Sequence, residues 1–513
     1  MRLTGRIISC RKSGAALTAI ACAFLCGGEA RAQAADPCQN VADSEIKKVL
    51  LASNLAFPME IAVAPDKRIF IVERVTGNIK VFDPGSKQVS TAGKVSVYGA
   101  APHTGLLGIA LDPGFAANHF VYVYYAHPNE PKHELARFTE SGGTLSDATK
   151  VIVLTVPGIR WNNQHHSAGS LAFGPDGNLY LAAGENVDPT VSQGYASTNE
   201  ATRQEDTQAT AANTNDLNGK ILRIHPEAAA VDGKYYTIPA GNLFPASDKA
   251  RGEIYAMGMR NPIRIALDPK TGWLYWGEPG PDATTESATR GPIGLDEVNR
   301  AKAPGFFGWP YFIGQNQAYL INGAKKDAAK PVNASKNNTG ETDLPAAQPS
   351  LLSYGDAGNP SYFGNADGRA SVVGGVYRFN AAQASPNRLP PRFDGSLFIM
   401  DWSRDWINEV AFAADGSVAA VKPFLSAQKP NGPLDMAFGP DGDMFLLEYD
   451  ASSLYQVQYT GSCKMDPTSV RTAGIARHGT RIAIPPEAYV GRVLRPETEA
   501  LKAGARGKRA VRL

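Results

Sequence analysis

The chain has 513 residues, of which 43% are hydrophobic and 19% charged, a balance that permits a large folded body and excludes a disordered polyelectrolyte. Its 51 basic and 49 acidic residues are unevenly placed: residues 1–32 carry a net +4 and the last fifty a net +7, leaving −9 for residues 33–463. An acidic body repels phosphate, which excludes a nucleic-acid-binding core.

Residues 1–32 read as a secretion signal: Arg2, Arg6, Arg11 and Lys12, an apolar run from Ala15 to Leu25, then small residues around Ala30-Arg-Ala. That run is too short for a membrane span, and no later stretch reaches the length one needs. The expected location is therefore periplasmic or secreted. Three of the five cysteines fall in this segment, leaving Cys38 and Cys463 near the two ends of the acidic body. In an oxidising compartment a disulfide between them is expected to tie those ends together.

The body repeats one phrase. It reads IAVAPDKRIFIVE at 61–73, GIALDPGFAANHFVYVYY at 108–125, SLAFGPDGNLYLAAGE at 170–185, IALDPKTGWLYWGE at 265–278 and DMAFGPDGDMFLLE at 435–448. A sixth, divergent unit spans VVGGVYRFN (372–380) and GSLFIMDWSRDWINEVAF (395–412). Each copy is an alternating apolar strand, a turn built on Pro, Asp or Gly, and a second strand rich in aromatic and aliphatic residues, which is a hairpin. Six hairpin-bearing units separated by forty to ninety residues predict an all-β, six-bladed β-propeller over 33–463. The polar stretches 186–216 and 315–368 are expected as long loops on one face of the ring, serving as binding walls or else poorly ordered. Residues 464–513 form a basic tail, expected to be mobile.

No phosphate loop, nucleophile elbow, zinc-protease helix or haem-attachment motif occurs. The residues able to carry chemistry stand at blade entrances. Gln164-His165-His166 precedes the third repeat, and two adjacent histidines would face opposite ways if the strand were extended. Met259-Arg260-Asn261-Pro262 precedes the fourth and offers a fixed cation beside an amide. Gly280-Pro281-Asp282 is a turn whose exposed carbonyls suit a hard cation. Taken singly, each of these has an ordinary structural use.

Their order and context resemble the glucose/sorbosone dehydrogenases, soluble six-bladed propellers that use pyrroloquinoline quinone (PQQ), and among these a sorbosone-type branch. The likeness runs from about Leu55 to Tyr459 through His103-Thr-Gly-Leu-Leu-Gly, His166-Ser-Ala-Gly-Ser-Leu-Ala-Phe, Asn218-Gly-Lys-Ile, Gly258-Met-Arg-Asn-Pro, Glu278-Pro-Gly-Pro, Asp296-Glu-Val-Asn and Gly308-Trp-Pro. The resemblance implies that His166 is the general base for a sugar hydroxyl and that Arg260 stabilises charge developing on the quinone. It implies cofactor contacts from His103, Arg260 and Asn261, with Arg404 as the nearby cation of the fifth blade. It implies that the carbonyls of Gly280 and Pro281 hold calcium, with Asp296 and Glu297 supporting that loop or a second calcium ion. Trp309 would line the sugar site or pack in the core.

The chain also departs from glucose-oxidising members, which carry Gln at the position of His103 and Asp at that of His165. Those members also have two Arg before the sixth repeat, where this chain reads Asn431-Gly-Pro-Leu-Asp. The function expected is a secreted quinoprotein that oxidises an aldose or related aldehyde-bearing sugar and passes electrons to an external acceptor, with a homodimer left open. A propeller that only binds a ligand or a protein is the alternative, followed by a calcium-dependent lactonase.

Overall fold

A computed structural model describes Cys38 and residues 41–101, 103–158, 165–365 and 368–463. The secretion signal (1–32) and the basic tail (464–513) lie outside these described residues. Among them, no helix is long and apolar enough to cross a membrane.

The expected architecture is present: a six-bladed β-propeller whose blades each hold four antiparallel strands, extended by one short strand in blade two and by two in blade three, one of them paired in parallel. Each repeat phrase forms the inner hairpin of one blade, because the turn residues preset the reversal and the alternating apolar residues pack between neighbouring sheets. Blade one comprises Pro58–Val63, Ile69–Glu73, Asn78–Asp83 and Gln88–Lys94, and blade two starts with Leu106–Leu111 and Phe120–Ala126. The inner strands of the remaining blades are Ala168–Phe173, Arg264–Leu267, Ser371–Val376 and Pro433–Phe438. The divergent sixth unit read in the sequence is thus blade five.

Inner strands crowd the axis. At Gly108 a β-carbon would come 2.0 Å from the carbonyl oxygen of Gly169 in the next blade, so only glycine fits there.

The ring closes by strand exchange. Ile46–Ala52, from the N-terminal side of blade one, is the outer strand of blade six and pairs antiparallel with Ser453–Tyr459. Each backbone group thus satisfied removes an open sheet edge. The disulfide expected to do this work is not formed: Cys38 and Cys463 are not bridged. Cys463 is a member of one apolar cluster and Cys38 packs against it, so backbone pairing and apolar burial supply the clasp.

A second tie lies on the axis. Arg264 Nε is 3.9 Å from Glu60 and 3.7 Å from Asp435. Glu60 accepts from the backbone of Ile109 at 2.7 Å and from the Ser170 hydroxyl at 2.5 Å, while Asp435 accepts from the Ile61 amide at 2.7 Å. Five blades therefore meet at one buried polar group.

The two polar stretches lie together, but the second is not all loop: it holds the short strands Gln317–Ala318, Leu320–Ile321 and Ala324–Lys325, and Leu352–Tyr354 is the outer strand of blade four. The described parts of both are not loosely ordered. Asn333 Nδ2 donates to the carbonyls of Gln208 and Ala212 at 2.9 and 3.0 Å, and the Ser335 hydroxyl donates to Asp206 at 2.5 Å. Asp206, Thr207, Gln208, Thr210 and Asn213 are buried. Polar composition marked these segments as loops; mutual hydrogen bonding across more than a hundred residues orders them.

Candidate functional site

At one mouth of the axis lies a cavity of ≈ 130 Å³ lined by Met59, Leu107, Ile263 and Leu434, by Trp402 and Tyr449, and by Arg74, His103 and Asn261. Apolar and aromatic walls with a few convergent polar groups are the usual make-up of a small-molecule site.

His166 stands behind this cavity, 3% exposed. Its backbone is left-handed, with φ 50°, as is that of Ala168 at 49°, a costly conformation for residues with a β-carbon and one found often at functional sites. The strand start is therefore not extended, and the expectation that His165 and His166 face opposite ways does not apply. Instead the rings of His165 and His166 lie 5.3 and 5.7 Å from that of His103.

His103 Nδ1 accepts from the His166 amide at 2.9 Å. His166 Nδ1 faces Glu185 Oε1 at 2.9 Å, and the other Glu185 oxygen accepts from the Trp309 indole. A carboxylate only accepts, so the proton of the neutral imidazole sits on Nδ1 and Nε2 is the basic nitrogen. Gly184 permits this approach: a β-carbon there would strike the His166 carbonyl. Trp309, whose expected uses were the sugar site or the core, lies in the core and braces Glu185.

Arg260 and Asn261 are set by Glu278, which accepts from both backbone amides and from the Trp276 indole at 3.2 Å. Arg260 Nη1 donates to the Pro279 carbonyl at 3.0 Å, and Asn261 Oδ1 accepts from the Ala168 amide at 3.0 Å. Burial pushes the Glu278 carboxyl up to about 7, against the hydrogen bonds that lower it. Glu297 is pushed up to about 8 by burial and by the charge of Glu278.

The calcium expectation meets a competing cation. Arg369, at the entrance to blade five, donates from Nη2 to the Pro281 carbonyl at 2.8 Å and pairs through Nε with Asp296 at 3.1 Å. Asp296 in turn accepts from the Gly280 amide at 2.9 Å. Burial raises Asp296 to about 6 even though Arg369 opposes it. Calcium needs six to eight oxygens at 2.3–2.6 Å; here the Pro281 oxygen already receives a guanidinium, so these residues as arranged do not fit a calcium ion. Glu297 instead accepts from the Gly314 amide and the Asn299 side chain. Among the described residues, no group of three or more His, Cys, Asp or Glu could hold a metal.

Arg404 is placed apart from the cavity lining. Its guanidinium donates to the carbonyls of Gly355, Phe363, Gly364 and Gly368 at 2.9–3.2 Å and so binds that loop together. Sequence reasoning missed Arg74, Glu185, Trp402 and Tyr449. Arg74 follows the first repeat and Glu185 ends the third, so the repeat boundary itself was the available signal.

The chemistry of the lining suits a flat, aromatic, polyanionic group of the PQQ kind. Trp402, Tyr449 and the aliphatic walls suit its rings, and Arg74 and Asn261 suit carboxylate and carbonyl oxygens.

The model of the family described as "Glucose / Sorbosone dehydrogenase" matches residues 55–341. The chain is 28% identical over 327 residues to quinoprotein glucose dehydrogenase B of Acinetobacter calcoaceticus, covering 58% of this chain and 63% of that protein. It is 24% identical over 275 residues to an aldose sugar dehydrogenase of Escherichia coli, covering 52% and 63%. The chain thus spans about three fifths of the length of these curated relatives. The PQQ-bound aldose sugar dehydrogenase of Streptomyces coelicolor matches in structure with a TM-score of 0.53 at 20% identity, covering 80% of this chain and 97% of that one; at that identity the match shows the fold.

Proposed function

Because the chain belongs to the glucose/sorbosone dehydrogenase family, whose model covers more than half of it, we propose that it is a secreted PQQ-dependent dehydrogenase. Its substrate would be an aldose or a related aldehyde-bearing sugar, oxidised to a lactone or acid, with electrons passing to an external acceptor. The observation that carries this reading is the His166–Glu185 pair beside a cavity with aromatic walls, a cation and an amide.

Arg74 and Asn261 would hold the quinone, which when bound supplies a two-electron acceptor for hydride. His166 Nε2 takes the proton of the sugar hydroxyl, and Glu185 stabilises the imidazolium that results. His103, which lines the cavity and accepts from the His166 amide, holds the His166 backbone against the cavity wall. Arg260 lends positive potential where negative charge develops. The buried walls exclude bulk water, which strengthens each of these interactions.

The test is titration of mature protein with PQQ followed by a dye-reduction screen over aldoses, repeated with His166→Ala. The reading expects quinone binding in both proteins and turnover only in the parent. Absent quinone binding, or full turnover in the variant, overturns it. A propeller that binds without turnover is favoured by one observation, the commitment of Arg404 to loop carbonyls; quinone binding without dye reduction for any aldose would support that reading.

A further inference from the structure

We propose that Arg369 takes the structural place of a divalent cation at the Gly280–Pro281 turn, so that this turn is organised without calcium. The side chain is 4% exposed and reaches three oxygens on different segments: Pro281 O at 2.8 Å, Asp296 Oδ1 at 3.1 Å and Asp356 Oδ1 at 2.5 Å.

Two of the three partners are also fixed from behind. Asp296 Oδ1 accepts from the Gly280 amide at 2.9 Å and Asp296 Oδ2 from the Ser371 amide at 2.8 Å. The Pro281 carbonyl lies against Gly294, where a β-carbon would come within 1.5 Å of it. A guanidinium is always charged and presents its donors in a rigid plane, so a single arginine can bridge the turn, the strand that begins at Asp296 and the loop at Asp356.

A metal on the Pro281 oxygen would sit at most about 5 Å from the guanidinium nitrogen bonded there, given ordinary Ca–O and N–O distances. Like charges at that separation, with 4% exposure, repel strongly. Arg369 precedes the first strand of blade five and the turn follows Leu274–Glu278 of blade four, so the contact also locks two blades together. The arginine supplies positive charge at this turn as a fixed part of the chain.

The experiment needs neither quinone nor sugar, so its outcome is independent of the dehydrogenase reading. Full-length mature protein is melted in EDTA and in millimolar calcium, alongside Arg369→Lys, Arg369→Ala and Asp296→Asn. The expected result is a parent Tm that moves by less than about 1 °C between the two conditions, with Arg369→Lys melting several degrees lower because a single point charge cannot bridge three oxygens. Arg369→Ala, if it folds, melts lower still. A rise in parent Tm of several degrees in calcium that Asp296→Asn abolishes would overturn the proposal.

Discussion

Replacing Arg264 with Met tests the axial hub. The substitution keeps most of the side-chain volume but removes the cation lying 3.9 Å from Glu60 and 3.7 Å from Asp435. It also removes the donors to the carbonyls of Ile263 and Met59. Arg264 is 1% exposed, so water cannot replace what is lost. Breaking a buried charge arrangement by deleting one partner costs about 3–5 kcal/mol, a fall of roughly 10²- to 10⁴-fold in the folding equilibrium constant.

The pH dependence has a definite sign. Burial raises the pKa of both Glu60 and Asp435, and Arg264 opposes the rise. Without Arg264 both rise further. A raised carboxyl binds its proton in the folded state at pH values where the unfolded chain has lost it, so its contribution to stability declines as pH climbs above the ordinary carboxylate range. The deficit of Arg264→Met should therefore be larger at pH 8 than at pH 5. Urea unfolding at the two pH values, followed by tryptophan fluorescence, measures it. A variant within about 1 kcal/mol of the parent at both, or a deficit that grows on acidification, would refute the account.

Three other outcomes are expected. Glu185→Gln keeps an acceptor for His166 Nδ1 but loses the charge that stabilises the imidazolium, so turnover should drop about 10²-fold or more with KM little altered, and the acid limb of the rate–pH profile should move to lower pH; steady-state dye reduction across pH checks this. Glu297 sits at about 8 in the fold against an ordinary carboxyl near 4.5, so stability should decline from about pH 4.5 to 8, and Glu297→Gln should flatten that slope in urea unfolding. The Lys48 amide points outward to Gln428, which turns the Val49 amide toward its partner Gln456; Val49→Pro should cost about 1–3 kcal/mol and speed proteolysis of the closing strand, whereas an unchanged Tm would show that the clasp adds little.

Much of the fold was legible in the residues. Five Pro-Asp or Asp-Pro phrases and one divergent copy mark six inner hairpins, because turn chemistry and strand alternation are local properties carried within about fifteen residues. His166, Arg260 and Asn261 were visible as polar residues just before a hairpin, and His103 through the family resemblance. Other features belong to residues far apart in the chain. The pairing of Ile46–Ala52 with Ser453–Tyr459, the contact of Arg264 with Glu60, and the engagement of Pro281 by Arg369 leave no periodic trace that could be read in advance.

The same division holds at the site. Composition and spacing set which side chains are available at each blade entrance. Only the closed ring decided that Glu185 orients His166, that Arg74 faces the cavity while Arg404 binds a loop, and that an arginine stands where calcium was expected. The physical reason is that a propeller brings six separate chain segments to one axis, and the hydrogen bonds made there depend on distances that exist only after all six blades have packed.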